Sequence, residues 1–177
     1  MGRLVALVGP PGCGKTTVCG QVADLARGRG LRVGGILSPG VPADPSGRRE
    51  RLVVDLSTGR SRPLGRRPPV NGGAGGWHLD EAALAWGAEA ARRGAAGADV
   101  LIVDELGPLE LDEGRGWAEC VGLLRDAACT LAVAVVREEC LPALRNRLGP
   151  AAGALEVVRV SPANRSMLPT RLLGDAR

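Results

Sequence analysis

A single lysine stands among 23 basic residues, and it closes the segment Gly9-Pro10-Pro11-Gly12-Cys13-Gly14-Lys15-Thr16. The spacing is GxxxxGK[ST], which makes a cradle for phosphate. The glycines let the backbone wrap with its N–H groups turned inward, a nest for phosphate oxygens. A helix beginning at Lys15 would aim its positive end at the same point. Lys15 would then reach the β- and γ-phosphates, and the Thr16 hydroxyl would ligate Mg²⁺. Gly9 through Thr17 are the candidate nucleotide-binding residues. Every other positive charge in the chain is carried by Arg. Lysine is kept where a compact ammonium on a flexible stem fits and a planar guanidinium does not.

A second constellation lies at Asp99-Val100-Leu101-Ile102-Val103-Asp104-Glu105, an apolar run ending in two adjacent carboxylates. Asp104 is placed to hold Mg²⁺ opposite Thr16. Glu105 sits at the carboxyl end of the same strand, where ligands bind in open α/β sheets. A carboxylate there can orient and deprotonate a water that attacks the γ-phosphate. Arg137 follows the next apolar strand. It could stabilise transition-state charge as a third catalytic residue, or be a solvated helix-start arginine.

These residues need a scaffold of alternating strands and helices. Leu4–Val8 is an unbroken apolar run, as in a strand buried on both faces. A helix is expected over Lys15–Arg27 with Val18, Val22 and Leu25 inward, then a strand over Leu31–Leu37. A β-rich insertion follows over about 38–64, with a strand at Leu52–Leu56. A mobile Gly/Arg loop is expected over about 65–76. Together they would form a lid over the nucleotide. Asp80 can cap a helix that runs to Arg93. Strands at Val100–Val103, Leu131–Val136 and Leu155–Val160 alternate with helices over Gly114–Ala128 and Glu138–Leu148. The first of these would turn Trp117, Val121 and Leu124 inward. Ser161 is expected to cap a last helix, with Pro162 at its first position. The pattern is one α/β domain over 1–177, a mostly parallel five-stranded sheet flanked by helices.

The core must be made from Ala, Val, Leu and Ile, because the chain has no Phe, no Tyr and three Trp. The net charge of +4 is concentrated. Residues 48–67 hold Arg48, Arg49, Arg51, Arg60, Arg62, Arg66 and Arg67 against Glu50 and Asp55. That patch could meet an anionic ligand or be a solvated loop. The five cysteines include no CxxC pair, which argues against a disulfide framework or a zinc site and for reduced, cytoplasmic thiols. Cys13 is expected to be accessible and reactive at a helix N-terminus. No segment reads as a signal peptide or membrane span.

The segment Val103-Asp104-Glu105-Leu106-Gly107-Pro108-Leu109-Glu110-Leu111 resembles the small P-loop nucleoside-triphosphatases first characterised from thermophiles, a family of the RecA-like P-loop class. That family has an aspartate-glutamate pair, a glycine and a Met-Glu-Leu ending there. Gly35-Ile36-Leu37-Ser38 and Val53-Val54-Asp55-Leu56 fit its β-rich insertion. Ser161–Leu168, with Asn164-Arg165 inside it, resembles its last helix. The chain departs at Glu50-Arg51, where the family has Gly-Phe, at Gly76-Trp77, where it has a basic residue and Tyr, and at Pro108, where it has Lys. These departures bear on base preference and on the lid, not on phosphate chemistry.

The resemblance implies Mg²⁺-dependent hydrolysis of ATP, GTP and other triphosphates to diphosphate and phosphate. Two other classes remain open. A small-molecule or nucleotide kinase would share the loop and need an acceptor pocket. A nucleotide-gated module for RNA or a protein partner would use the Arg patch on phosphates. Nucleic acid is not favoured, since the aromatic platform of such modules is missing. Asn164-Arg165 and Trp77 could each meet a base or be structural. Glu110 could brace the loop behind Asp104. His78 has no assigned role. The sequence leaves the oligomeric state undetermined.

Overall fold

The computed structural model describes residues 2–68 and 76–174. The glycine-rich part of the expected lid, residues 69–75, lies outside the described residues.

The strands are β1 (Arg3–Val8), β2 (Val33–Leu37), β3 (Gly40–Val41), β4 (Arg49–Asp55), β5 (Ser61–Arg67), β6 (His78–Leu79), β7 (Val100–Leu106), β8 (Leu131–Val136) and β9 (Leu155–Arg159). They form one sheet in the order β6-β5-β4-β2-β7-β8-β1-β9, with β3 paired to β4. Five of them, β2, β7, β8, β1 and β9, run parallel and are the expected core. The sheet is larger than five strands because the insertion does not fold apart from it. Antiparallel pairing of β4 with β2, of β5 with β4 and of β6 with β5 extends the same sheet. Residues 65–67, expected as loop, belong to β5. Arg66 pairs in register with Glu50 on one side and His78 on the other, which fixes it as sheet.

The strand β8 is apolar throughout, and β1 and β7 carry unbroken apolar runs at Leu4–Val8 and Val100–Val103, because both faces are covered. Leu4, Ala6 and Val8 of β1 enter one core layer, while Val5 and Leu7 enter the other. The helix α1 (Lys15–Gly28) covers the second layer with Val18, Cys19, Val22, Ala23 and Ala26. Leu25, expected inward, is exposed, because the helix lays its small residues on the sheet instead. The first layer is covered by α2 (Glu81–Ala95), α4 (Cys120–Arg125) and α5 (Leu141–Leu148), with the short α3 (Pro108–Leu111) beside β7. Asp80 caps α2 as expected, its Oδ1 accepting the Ala83 N–H at 2.8 Å.

Two expected helices are shorter than their apolar spacing implied, and the last begins later than expected. Gly114 and Gly116 both adopt positive φ, so regular helix after Gly114 is delayed to Cys120, although Trp117, Val121 and Leu124 are all buried. Residues Glu138–Cys140 form a 3₁₀ turn before α5. After β9, turns fill the chain until α6 (Leu168–Leu173). Ser161 does not act as the side-chain cap. Its backbone N–H donates to Asn164 Oδ1 at 2.9 Å, and Asn164 Nδ2 donates to the Arg159 carbonyl at 2.9 Å.

Candidate active site

The turn between β1 and α1 gathers the residues of the first motif at the carboxyl end of the parallel strands. Gly9 has φ 151°, and a Cβ there would lie 2.8 Å from the Val160 carbonyl oxygen. Gly14 precedes α1 in the left-handed region, φ 105°, and a Cβ there would lie 3.2 Å from Arg165 Cδ. Neither place admits a side chain without strain. The backbone N–H groups of Lys15, Thr16 and Thr17 open α1 and have no carbonyl within the helix to pair with. Lys15 is buried inside the turn, its Nζ donating to the Gly9 carbonyl at 2.6 Å and the Pro10 carbonyl at 3.1 Å. Its ammonium therefore lies in the turn that the nest surrounds.

Cys13 departs from expectation. Its side chain is buried, 7% exposed, in the core layer that holds Val5, Leu7 and Val160. The turn that wraps its backbone around Lys15 Nζ turns this side chain inward. All five thiols are buried. Burial pushes Cys120 up to about 12 and Cys19 well above its ordinary value. A thiol reagent should therefore find almost no fast-reacting cysteine in the native protein and all five after unfolding. Rapid labelling of Cys13, blocked by ATP, would contradict this packing.

Parallel pairing of β7 with β8 and of β8 with β1 sets the second motif near the first, and pairing of β7 with β2 brings Ser38 to Asp104. Asp104 is 1% exposed. Thr16 Oγ1 donates to its Oδ1 at 3.3 Å, and the Ser38 N–H donates to its Oδ2 at 3.0 Å. Burial pushes the Asp104 carboxyl up to about 6, against the pull of the Ser38 N–H and the Thr16 hydroxyl. A buried carboxylate of this kind favours a positive partner. The Ser38 hydroxyl is also buried, with no hydrogen-bond partner among the described residues. Two hard oxygens, Thr16 Oγ1 and Asp104 Oδ1, thus converge, with Ser38 tied to the same carboxylate through its N–H, and such oxygens suit Mg²⁺. Among the described residues no group of three His, Cys, Asp or Glu side chains could cage a metal. A cation here would need phosphate oxygens and waters to complete its shell, as Mg²⁺ commonly does.

Glu105 comes next, joined to Asp104 by a cis peptide bond. Arg51 Nη1 donates to its Oε2 at 3.3 Å, and Arg137 Nε donates to its Oε1 at 3.2 Å. Burial alone would raise the Glu105 carboxyl, but Arg51 and then Arg137 outweigh it and hold it below the usual range. Arg137 thus reaches the site, through Glu105. A cavity of about 130 Å³ opens beside this trio, lined by Ser38, Trp77, Leu79, Pro108 and Trp117 among others. Glu110 sits behind it as a brace. Its Oε2 accepts the Gly107 N–H at 2.9 Å and its Oε1 the Trp117 N–H at 3.4 Å.

Two residues of this site were not singled out from sequence, Ser38 and Arg51. Ser38 is the polar residue that ends an apolar strand, which is a usable signal. Arg51 is harder to find among seven arginines. The clue is Pro63, which has no N–H for the ladder. The β4–β5 register shifts between Arg51 and Leu52, which pair with Gly65 and Pro63 and leave Leu64 as the extra residue. Bulges of this kind re-aim side chains next to active sites. Trp77 lies beneath Arg51, whose Cζ is 4.9 Å from the ring centroid, so the ring is beside Glu105. Asn164 spends both ends of its amide on local backbone, while Arg165 reaches over Gly14.

A phosphate-binding turn between β1 and α1, with an acidic pair on a strand separated from β1 by β8, defines the P-loop class of α/β nucleotide-binding proteins. Within it, residues 4–173 match the family model for NTPases, and the chain belongs to that family. It is 34% identical over 170 residues to nucleoside-triphosphatase THEP1 of Methanopyrus kandleri, covering 96% of this chain and 92% of that protein. The nucleoside-triphosphatase THEP1 of Methanothermobacter thermautotrophicus is 32% identical over 183 residues, covering 97% and 96%. Among solved structures, a human cancer-related nucleoside triphosphatase superposes with a TM-score of 0.70 at 25% identity, covering 99% of each chain. THEP1 of Aquifex aeolicus shares the fold, with a TM-score of 0.65 at 18% identity over 97% and 96%.

Proposed function

We propose that this chain hydrolyses nucleoside triphosphates, ATP and GTP among them, to diphosphate and phosphate with Mg²⁺. The observation that carries the reading is the convergence of Thr16 Oγ1 and Asp104 Oδ1, with Glu105 next in line. The names of the relatives agree with it. The first turn of α1 and Lys15 hold the triphosphate by its β- and γ-oxygens. Thr16 and Asp104 offer oxygens to the cation and its waters. Held there, Mg²⁺ would neutralise charge on the triphosphate. Glu105 takes a proton from a water whose oxygen attacks the γ-phosphorus. The bond from phosphorus to the β,γ-bridging oxygen breaks, and the β-phosphate keeps that electron pair. Arg137 meets the charge that spreads onto the γ-oxygens.

Phosphate release from ATP and GTP with Mg²⁺ alone is the deciding assay. Turnover only with an added acceptor would make the chain a kinase, and turnover only with nucleic acid would make it a gated binding module. No helix among the described residues is long and apolar enough to cross a membrane. The five free thiols favour a reducing compartment, the cytoplasm.

Asp104→Asn tests the metal assignment. The amide can still accept from the Ser38 N–H and contact Thr16, and a buried charge is removed. The variant should therefore melt no lower than wild type. Its nucleotide affinity should lose the gain that Mg²⁺ gives, and turnover should fall with it by a factor on the order of 10² or more. An Asn variant that keeps a wild-type Mg²⁺ dependence would remove Asp104 from the metal site.

A further inference from the structure

The trio of Arg51, Glu105 and Arg137 has two permanent positive charges on one carboxylate. Both Glu105 oxygens are taken, one by each arginine. Such a trio is one charge short of neutral and lies immediately beyond the carboxylate that meets Thr16. Its excess positive charge calls for an anion, and the γ-phosphate is the anion this site would bring. Arg51 is held lightly. One nitrogen contacts Glu105, the planar group rests on Trp77, and about a third of the side chain is exposed. Among the described residues its other N–H groups have no protein acceptor. A guanidinium with free donors prefers the doubly charged, three-oxygen face of a phosphate to a single contact with a carboxylate. The bulge at Leu64, across from Arg51 and Leu52, sets Arg51 at this place, although Arg51 belongs to the insertion and not to the nucleotide-binding strands.

We propose that Arg51 is a further catalytic residue, which leaves Glu105 and Trp77 for the γ-phosphate when nucleotide binds and thereby releases Glu105 to accept the proton of the attacking water. One movement then does two things. It brings a positive charge onto the oxygens that gain negative charge in the transition state. It also frees a carboxylate oxygen that is otherwise occupied. The base is thus engaged until a triphosphate is present, and a diphosphate, without the γ-group, would not draw Arg51 away. The Arg-rich insertion acquires a role at the reacting atoms through this one residue. The inference rests on the hydrolase reading above.

Trp77 reports the exchange. Its fluorescence should change when a non-hydrolysable ATP analogue and Mg²⁺ bind, because the guanidinium leaves its face, and ADP with Mg²⁺ should give a much smaller change. Trp77→Phe should remove the signal. Arg51→Ala should also remove it, should weaken triphosphate binding severalfold while leaving ADP affinity near wild type, and should lower kcat about 10²-fold, as for a contact made on binding and strengthened in the transition state. Arg51→Lys, which keeps charge and stem, should recover part of kcat and guards against a folding defect in the alanine variant. The proposal is overturned if Arg51→Ala turns over at the wild-type rate. It is equally overturned if saturating triphosphate leaves the Trp77 signal unchanged. Failure of the wild type itself to release phosphate from ATP or GTP is a different outcome, and it removes the hydrolase reading first.

Discussion

Replacing Glu105 with Gln should give a protein that binds ATP and Mg²⁺ and does not hydrolyse them. Gln keeps the size of the side chain, and its amide oxygen can still accept from one of the two arginines. What it cannot do is take a proton. Turnover should fall by a factor on the order of 10² or more, the usual scale for a lost general base. That is about 3 kcal/mol in the transition state, with little change in the ground state. The fold should be unaffected, since Glu105 contributes its side chain to the site and not to either core layer. ATP recovered from the variant after incubation should be intact, as a filter-binding or mass measurement will show. Wild-type turnover would exclude Glu105 as the base. Glu110, the next carboxylate along the chain, is no ready substitute. It spends one oxygen on the Gly107 N–H and the other on the Trp117 N–H, so recruiting it would break the cap of α3.

Glu105 also marks how far the sequence could be read. Its place at the end of an apolar strand made it a candidate, because ligands gather at the carboxyl ends of parallel strands. The parallel strands β1, β7 and β8 were legible because a strand covered on both faces leaves an unbroken apolar run. The phosphate turn was legible because glycine spacing and a lone lysine report local geometry. What the sequence did not disclose depends on contacts between distant segments. Arg51 meets Glu105 only because β4 extends the sheet next to β2 and a bulge sets its aim. Helix lengths failed where glycines interrupt an apolar period. Gly114 and Gly116 take positive φ and let the Trp117 N–H reach Glu110, a bond that regular helix would not allow. Cys13 failed differently. Its place in a glycine-rich turn suggested exposure, but a wrapped turn must send some side chains inward, and only the packing against Val160 and its layer decides which.

Lys15 gives the sharpest test of the site as a whole. Lys15→Ala should weaken triphosphate binding by about 10- to 100-fold, the worth of one charge-assisted contact at roughly 1.5–3 kcal/mol. Turnover should drop below detection, because the same ammonium also meets the charge that grows on the γ-oxygens. Diphosphate affinity should fall less. The fold should survive. The turn keeps its own bonds from the Cys13 N–H to the Pro10 carbonyl and from the Val18 N–H to the Gly14 carbonyl. A melting curve close to wild type would separate lost function from lost structure. Lys15→Arg is the stricter variant, since it preserves charge. The Nζ group is buried between the Gly9 and Pro10 carbonyls, at 2.6 and 3.1 Å, in a turn sized for a single nitrogen. A planar fork of three nitrogens is wider and cannot take that position without opening the turn. Its activity should therefore fall nearly as far as that of the alanine variant. The comparison is informative in this chain because its other 22 basic residues are all Arg. A fully active Lys15→Arg protein would mean that the turn opens far enough to admit a guanidinium. The single lysine would then reflect something other than the shape of the phosphate site.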